Sequence, residues 1–413
     1  MRSDLDQLMQ NNHIDALWVS GNLFNNPDMV YLCGIHHVNQ ADLFKLQDQA
    51  PILFHVVDME REEADKTGLK TQAYFSETPL TDYVKAANGD VARAMAQRVK
   101  EAMEHLGITS GTVAISGHVD IGPYHAMLDN LKKSCPDISF VSYFKDSPFL
   151  TARMTKSDDE IAHICKMGAT TATVIGRVQQ YLQSCSVTDE ILHKQNGDRL
   201  TVRDVKSRIN RWLAESGAEN PEETIFAIGR DGGIPHSAGT PDDVIMLGKP
   251  IVFDIFPCEA GGGYFSDCTR TWCLGYAPDP VKELYAQVLN VHHQVIDQLK
   301  PNQPFREYQH MTCELFSQYG HITIADDRTT QKGYLHSIGH GVGLDIHEKP
   351  FSGFTAAADD ILKPGVVFTI EPGLYYPDDG MGVRIEDTIY LNNTGEFEVI
   401  ADYPYDLVIP MDG

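Results

Sequence analysis

The chain has 413 residues, of which 42% are hydrophobic and 22% charged, and its 33 basic and 58 acidic side chains give a net charge of −25. This composition is typical of a soluble folded protein and excludes a disordered chain, while the length favours two domains. The negative charge repels nucleic acid and anionic lipid, so we expect neither a nucleic-acid nor a membrane partner.

The cellular compartment is predicted from the N-terminus and the cysteines. Residues 1–15 are polar and lack the apolar core of a signal peptide, and no apolar run reaches the roughly 18 residues of a membrane span. The eight cysteines are scattered along the chain without a Cys-x-x-Cys pair. In a long chain of this kind reduced thiols are favoured over disulfides, so we expect a cytoplasmic protein.

Residues 1–150 predict an α/β domain. Short apolar runs bounded by turn residues predict strands over residues 16–21, 51–57, 111–117 and 138–143. Between the second and third runs, residues 90–106 predict a helix that ends at Gly107. The alternation of the two kinds of segment indicates the class of the domain.

A second domain is expected over residues 157–413. Ser157 and Glu160 have the spacing of a capping box, which predicts a long helix to about Leu182. Apolar residues at helical spacing predict further helices over residues 202–216, 279–299 and 304–319. We interpret these apolar stripes as core faces.

The first of two predicted hairpins is PIVFDIFPCEAGGGYFSDCTRTW, which begins at Pro250. In it Asp254 and Asp267 are equally far from the midpoint between Ala260 and Gly261. A tight turn at that midpoint places the two carboxylates opposite each other, with Cβ atoms ~5 Å apart. A β-bulge would shift this register.

The second predicted hairpin is VVFTIEPGLYYPDDGMGVRIEDTIYL, which begins at Val366. Glu371 and Glu386 are centred between Asp378 and Asp379, so they too are predicted to face each other. Two interpretations are open for the four acids, a solvated surface or a buried site. The apolar residues beside them favour burial, and buried carboxylates need a cation to offset the loss of water. One arginine does not neutralise four carboxylates, whereas divalent metal ions do.

The stretch YLHSIGHGVGLDIHE adds three histidines, His336, His340 and His347. Four carboxylates with one imidazole form a hard, oxygen-rich site that suits Mn²⁺, Co²⁺, Fe²⁺ or Zn²⁺. Because carboxylates bridge, such a set can hold two metal ions about 3.5–4 Å apart. A metal pair of this kind generates hydroxide at neutral pH and polarises a carbonyl group.

In these contexts the residues resemble the pita-bread metallopeptidase family, which includes methionine aminopeptidase, aminopeptidase P, prolidase and creatinase. The resemblance implies an α/β fold in which a creatinase-like N-terminal domain, residues 1–150, precedes a pita-bread catalytic domain, residues 157–413. It implies two divalent metal ions, with manganese favoured and cobalt, zinc or iron as alternatives. The implied metal ligands are Asp254, Asp267, His340, Glu371 and Glu386.

The same resemblance implies roles for further side chains. In the family, the histidine at the position of His236 lies beside the substrate, that of His336 lines the pocket, and that of His347 binds the scissile carbonyl. Arg384 matches an arginine of the aminopeptidase P and prolidase branch. The implied catalytic residues are His236, His347, Glu371 and Arg384, and the implied substrate-binding residues are His236, His336, His347 and Arg384.

Together these residues favour hydrolysis of Xaa-Pro peptide bonds by a metal-bridging hydroxide, as in an Xaa-Pro dipeptidase or aminopeptidase P. The implied partners are short proline-containing peptides and a second copy of the chain, as a homodimer. Two departures leave alternatives open: Phe256 stands where most relatives have glycine, and the loop between the aspartates is longer. The alternatives are a metal-dependent enzyme acting on a small metabolite, such as a cyclic amidine or sulfonium acid, and, less favoured, a peptide-binding module.

Overall fold

The computed structural model describes residues 3–74 and 78–411. By its internal contacts the chain divides into two compact units, Met1–Arg153 with Gly261–Gly263, and Met154–Ala260 with Tyr264–Gly413. Within the described ranges, no helix is both long enough and apolar enough to cross a lipid bilayer.

The first unit is built on a mixed sheet. Its strands in the described residues are β1 (Ala16–Gly21), β2 (Ala41–Leu46), β3 (Ile52–His55), β4 (Lys70–Ala73), β5 (Gly111–His118) and β6 (Ile138–Val141). They lie in the order β4-β3-β2-β1-β5-β6, with β1, β5 and β6 parallel and β2 antiparallel to both of its neighbours. The four predicted strands are confirmed as β1, β3, β5 and β6, whereas β2 and β4 have no counterpart in the sequence prediction.

The helices described in the first unit are α1 (Ser3–Asn11), α2 (Pro27–Cys33), α3 (Arg61–Asp65), α4 (Leu80–Ala86), α5 (Val91–His105), α6 (Ile121–Ser134) and α7 (Pro148–Arg153). The predicted helix over residues 90–106 is confirmed as α5. Asp90 caps it, because its side chain accepts a hydrogen bond from the Arg93 N–H at 3.0 Å. Gly107 follows its end with a φ of 77°, a left-handed conformation that glycine adopts without strain.

The helices described in the second unit are α8 (Asp158–Gln183), α9 (Val202–Glu215), α10 (Asp279–Asp297) and α11 (Arg306–Gln318). Ser157 and Glu160 form the predicted capping box of α8, and the Ser157 N–H donates to Glu160 Oε2 at 2.8 Å. The predicted start of the last helix at Pro304 is wrong by two residues. There the Phe305 N–H donates to the Asp360 carbonyl at 2.8 Å, so this segment is bonded to another part of the chain before α11 begins.

The strands described in the second unit are β7 (Ser186–Thr188), β8 (Ile191–His193), β9 (Ala218–Glu219), β10 (Ile225–Ile228), β11 (Pro250–Ile255), β12 (Cys258–Glu259), β13 (Cys268–Leu274), β14 (His340–Gly341), β15 (Glu348–Phe351), β16 (Val367–Ile370), β17 (Gly373–Tyr376), β18 (Met381–Arg384), β19 (Glu386–Leu391), β20 (Phe397–Val399) and β21 (Val408–Ile409). The main sheet follows the path β10-β11-β13-β19-β16-β14-β15, with β20 paired to β19 and β21 to β13.

Two helix pairs pack on this sheet. Val174 of α8 and Ile209 of α9 share a buried cluster with Phe253 of β11 and Trp272 of β13. Side chains of α10 and α11 form a second buried cluster around Phe368 of β16. Each fully buried side chain of this kind contributes about 1.5–3 kcal/mol, so the strands that carry the candidate ligands are held firmly.

The register of the first hairpin differs from the prediction. Asp254 faces Thr269 instead of Asp267, because the turn is centred on residues 261–262, two glycines with φ of 92° and 76°. A type I′ hairpin turn needs positive φ at both central residues and a type II′ turn at the first, so the predicted midpoint would have placed Ala260 in that strained region. Since Asp267 is two residues from Thr269, the shift keeps both acids on one face.

The second hairpin has the predicted register. Ile370 faces Asp387, so Glu371 and Glu386 are at the matching positions one residue further along, and the pairs of β17 with β18 beyond them continue the same register. Thr269 of β13 lies opposite Glu386. The pairing of β13 with β19 therefore brings the acids of the two hairpins to one part of the sheet.

Candidate active site

A cavity of about 590 Å³ lies in the second unit. Asp254 lies in β11, His340 in β14 and Glu386 in β19, while Asp267 directly precedes β13 and Glu371 directly follows β16. All nine residues singled out in the sequence line this cavity: His236, Asp254, Asp267, His336, His340, His347, Glu371, Arg384 and Glu386.

The candidate ligand atoms converge. Asp267, His340 and Glu386 each offer a ligand atom within 4.8 Å of the others. His340 Nε2 is 3.7 Å from Asp267 Oδ2 and 3.7 Å from Glu371 Oε1. These distances are too long for hydrogen bonds, but they suit two atoms that share one metal ion at about 2.0–2.2 Å from each.

The protonation state of His340 fits a metal ligand. Its Nδ1 is 3.2 Å from the carbonyl oxygen of Gly341, which only accepts hydrogen bonds, so Nδ1 carries the proton and Nε2 has the lone pair. Burial lowers the pKa of His340 to about 3, which keeps the ring neutral. A lone pair that faces carboxylate oxygens is repelled by them unless a cation lies between.

The carboxylates of the site also need a cation. Asp254 Oδ1, Asp267 Oδ1 and Glu386 Oε1 are buried and have no hydrogen-bond partner in the part of the chain that the structure describes. Burial, and then the charge of neighbouring acids, raises the pKa of Asp267 and Glu371 well above the usual values and that of Glu386 to about 8. Buried acids without donors are costly, and divalent cations offset that cost. The five residues therefore fit a hard divalent-metal site.

Two threonines orient these acids, and sequence reasoning missed both. Thr269 Oγ1 donates to Glu386 Oε2 at 2.7 Å, which leaves Oε1 for a metal ion. Thr388 Oγ1 donates to the Asp267 carbonyl at 2.7 Å and accepts from the Asp267 N–H at 3.2 Å. Each threonine is two residues after a candidate ligand, so strand alternation was the signal that could have found them.

Arg384 is buried beside the ligands. Its Nη2 donates to Asp254 Oδ2 at 2.6 Å, and its Nη1 donates to the Tyr375 hydroxyl at 2.8 Å and to the Pro235 carbonyl at 3.1 Å. The guanidinium thus fixes one candidate ligand while it also lines the cavity, where it can meet an anionic group of a substrate.

Tyr375 links Arg384 to His336, and sequence reasoning missed it as well. The Tyr375 hydroxyl is 2.8 Å from His336 Nε2, and His336 Nδ1 is 2.8 Å from the Ser337 carbonyl. Because Arg384 donates to the hydroxyl, the tyrosine proton goes to Nε2 and the imidazole proton is on Nδ1. Burial lowers the pKa of His336 to about 3, in agreement with a neutral ring. Tyr375 is four residues after Glu371, so the alternation of side chains along a strand was again the sequence pattern that could have indicated it.

His347 and His236 are the solvent-exposed histidines of the cavity wall. The His347 ring is 4.4 Å from the His340 ring, between centroids, in an edge-to-face arrangement. Both exposed histidines are therefore available to donate hydrogen bonds to an oxygen atom of a bound molecule.

A second set of buried charges joins β13 to β19 behind the site. Arg270 donates to Asp387 Oδ1 at 2.8 Å and to the carbonyl oxygens of Thr269 and Glu386 at 2.9 and 2.8 Å. His292 Nε2 lies 3.2 Å from Asp387 Oδ2. These contacts tie together the two strands that position Asp267 and Glu386.

The structure has the α/β organisation of a pita-bread hydrolase, with a ligand set that suits divalent metal ions. A family model described as metallopeptidase family M24 matches residues 156–393. The chain therefore belongs to metallopeptidase family M24 and is a peptidase.

Relatives with similar sequences and folds cover most of the chain. It is 34% identical to the Xaa-Pro dipeptidase of Pyrococcus furiosus over 277 residues, 66% of this chain and 69% of that protein. It is 26% identical to the Xaa-Pro dipeptidase of Pyrococcus horikoshii over 393 residues, 94% of this chain and 93% of that protein. The crystal structure of the prolidase from Pyrococcus horikoshii OT3 matches with a TM-score of 0.72 over 98% of both chains, at 23% identity.

Proposed function

We propose that the protein hydrolyses Xaa-Pro peptide bonds with two divalent metal ions, held by Asp254, Asp267, His340, Glu371 and Glu386. One observation carries the proposal: a neutral imidazole nitrogen faces carboxylate oxygens at 3.7 Å in a cavity where further carboxylate oxygens lack donors. The two relatives named Xaa-Pro dipeptidase support proline as the residue that follows the cleaved bond.

In this proposal Asp267 and Glu386 would each help to hold both ions. Asp254 would help to hold one of them, and His340 with Glu371 would help to hold the other. Manganese is the proposed metal, with cobalt, zinc and iron as alternatives, because the donors are carboxylates and one imidazole without a thiolate. When bound, the ions supply a hydroxide nucleophile at neutral pH and polarise the scissile carbonyl.

Side chains of the protein transfer the proton and stabilise the negative charge that develops on the substrate. Glu371 takes up a proton of the attacking water at Oε2, which is 3.7 Å from His336 Nδ1, and passes it to the leaving imino nitrogen. His347 and His236 donate hydrogen bonds to substrate oxygens as negative charge develops.

Arg384 is proposed to bind the proline end of the substrate. The proline nitrogen carries no N–H, so recognition relies on the ring and on charged groups. A dipeptide presents a carboxylate next to the ring, and a guanidinium matches that group well. A longer peptide presents a neutral carbonyl there, so the ratio of dipeptide to tripeptide cleavage separates a dipeptidase from an aminopeptidase P.

The remaining assignments are proposals as well. Residues 1–150 form the creatinase-like domain and 157–413 the catalytic domain, which the two compact units support. A cytoplasmic location is supported by the eight cysteines, all free thiols. The homodimer is tested by light scattering during gel filtration, where the mass of one 46.0 kDa chain would contradict it.

Hydrolysis of Ala-Pro, Ala-Pro-Ala and Ala-Ala by the Mn²⁺-loaded protein tests the main proposal. We expect cleavage of the two proline peptides only, and its loss in Asp267→Asn, which lacks a bridging carboxylate. Asp242→Asn is the matched control, because Asp242 is an exposed acid paired with Arg203. Metal content gives an independent measurement, with two ions per chain in the wild type and the control and fewer in Asp267→Asn. A protein that holds two ions and cleaves no peptide would contradict the proposal and favour a cyclic or sulfonium metabolite.

A further inference from the structure

The cavity wall carries more acids than the proposed metal site uses. Besides the four candidate ligand carboxylates, Glu222 and Glu223 line it, and Arg384 is the one lysine or arginine among the described lining residues. Arg384 is already bonded to Asp254. The charges of Glu222 and Glu223 are therefore compensated neither by the proposed metal ions nor by Arg384.

The two neighbouring glutamates differ in their partners. Lys206 of α9 donates to Glu223 Oε2 at 2.8 Å, so the charge of Glu223 is compensated. Glu222 has no ion pair with any lysine, arginine or histidine of residues 3–74 and 78–411. Once divalent ions compensate the ligand carboxylates, Glu222 remains the acid of the wall without a cation.

Glu222 lies close to the reaction centre. It is three residues before Ile225, the first residue of β10, and Ile225 pairs directly with Asp254. Three residues of extended chain span at most roughly 10 Å. Glu222 and His347 both line the cavity. The acid is thus near the imidazole that stands edge to face with His340.

Glu222 lies outside the candidate ligand set, which favours a cationic substrate side chain over the α-ammonium group as its partner. The α-nitrogen is two bonds from the scissile carbon, so it stays beside the ligand carboxylates. A lysine or arginine side chain reaches further, and its methylene stem packs on apolar surface while its tip keeps a polar partner. Phe256, Ile346 and Phe351 supply apolar surface to the same cavity.

We propose that Glu222 selects substrates whose Xaa residue is lysine or arginine, by pairing with the cationic side chain. The inference rests on the Xaa-Pro hydrolysis proposed above and names the class of Xaa residue. Complementary charge of this kind gives specificity because an acidic or apolar Xaa residue leaves Glu222 unpaired or repelled.

Steady-state kinetics on Lys-Pro, Leu-Pro and Glu-Pro test the inference, with Mn²⁺-loaded wild type, Glu222→Gln and Glu222→Lys. We expect the wild type to prefer Lys-Pro over Leu-Pro, and Glu222→Gln to lose about fivefold to tenfold in kcat/KM on Lys-Pro alone. The loss is expected in KM with kcat unchanged, because the ion pair forms equally in the ground state and the transition state. Glu222→Lys should shift the preference to Glu-Pro.

Glu215→Gln is the control, because Glu215 is an exposed acid of α9 paired with Arg177 and Arg211. Its substrate preference is expected to equal that of the wild type. Equal losses on all three peptides in Glu222→Gln would assign Glu222 to the shared α-ammonium group and overturn the inference, as would an unchanged preference. Absence of cleavage of every peptide by the wild type would instead overturn the proposed function, and the inference with it.

Discussion

The carboxylate of Asp254 is divided between Arg384 and the proposed metal site. Its Oδ2 accepts a hydrogen bond from Arg384 Nη2 at 2.6 Å, while its Oδ1 is buried and without a partner in the described residues. Both side chains are buried, so each charge depends on the other for compensation. The arginine holds one oxygen of the ligand and leaves the second for a metal ion.

Arg384→Met is expected to reduce kcat/KM more on Ala-Pro than on Ala-Pro-Ala. Loss of a charge-assisted hydrogen bond to the dipeptide carboxylate costs about 2–3 kcal/mol of transition-state stabilisation, or about 30- to 150-fold. Measurement of kcat/KM for both peptides under identical metal loading gives the difference between the two losses. Arg384→Lys keeps the charge but not the planar fork, so it should recover only part of the loss. Equal losses on both peptides together with lost metal would assign Arg384 to Asp254 alone.

The pattern of candidate metal ligands could be predicted from the sequence because each acid lies in or beside a predicted strand, where few alternative registers are possible. Glu371 and Glu386 flank a turn whose Gly380 has a φ of 68°, and the register counted from that turn is the one observed. The first hairpin was counted one residue too early, because three consecutive glycines allow several turns. The strain on Ala260 at the wrong midpoint was the physical argument that would have decided it.

Other features depend on pairing across the fold, which no local pattern contains. The strand β2 carries Asp42 and Lys45, both almost fully buried, and polar residues of this kind normally indicate a surface. Asp42 is buried because Arg98 lies 3.1 Å from it and Trp18 Nε1 donates to it at 2.8 Å. Lys45 is buried because it pairs with Asp6. Since Arg98, Trp18 and Asp6 are all distant from β2 in sequence, the hydropathy pattern gave no sign of this strand.

Metal binding is expected to stabilise the protein against heat. The ions remove repulsion among buried carboxylates, and a ligand at 100 times its Kd adds about 2.7 kcal/mol, or several degrees in Tm. Thermal unfolding of the metal-free protein with and without Mn²⁺ measures the shift. Asp267→Asn should lose most of it and Asp242→Asn none. A Tm that does not respond to any of the four candidate metals would contradict the metal site.

Metal binding is also expected to release protons below about pH 8. Burial raises the pKa of Glu386 to about 8 and that of Asp267 well above its usual value, so these groups hold protons in the metal-free protein. Only their anionic forms bind metal, so affinity should rise with pH until Glu386 is ionised. The stability of the metal-free protein should change with pH in the opposite direction. A raised carboxyl pKa favours folding at low pH, and that contribution is lost as pH rises through about 8.

Calorimetry of Mn²⁺ binding in two buffers with different ionisation enthalpies measures the proton release at pH 7. The heat should depend on the buffer for the wild type and less so for Glu386→Gln, which has one proton fewer to lose. Identical heats in both buffers would mean that the acids are already ionised.

Arg270→Met is expected to destabilise the metal-free protein strongly. Arg270 lowers the pKa of Asp387 below its usual range although burial alone raises it, and removing the arginine leaves that carboxylate buried and uncompensated. Breaking such a pair costs about 3–5 kcal/mol, which corresponds to a drop in Tm of about 6–20 °C in a domain of 150–250 residues. Arg203→Met removes an arginine from an exposed pair and should cost less than about 1 kcal/mol. Adding Asp387→Asn to Arg270→Met should recover part of the loss, because the uncompensated charge is then gone. If the double variant is instead as unstable as the sum of its parts, the two side chains act independently and β13 is held to β19 by other contacts.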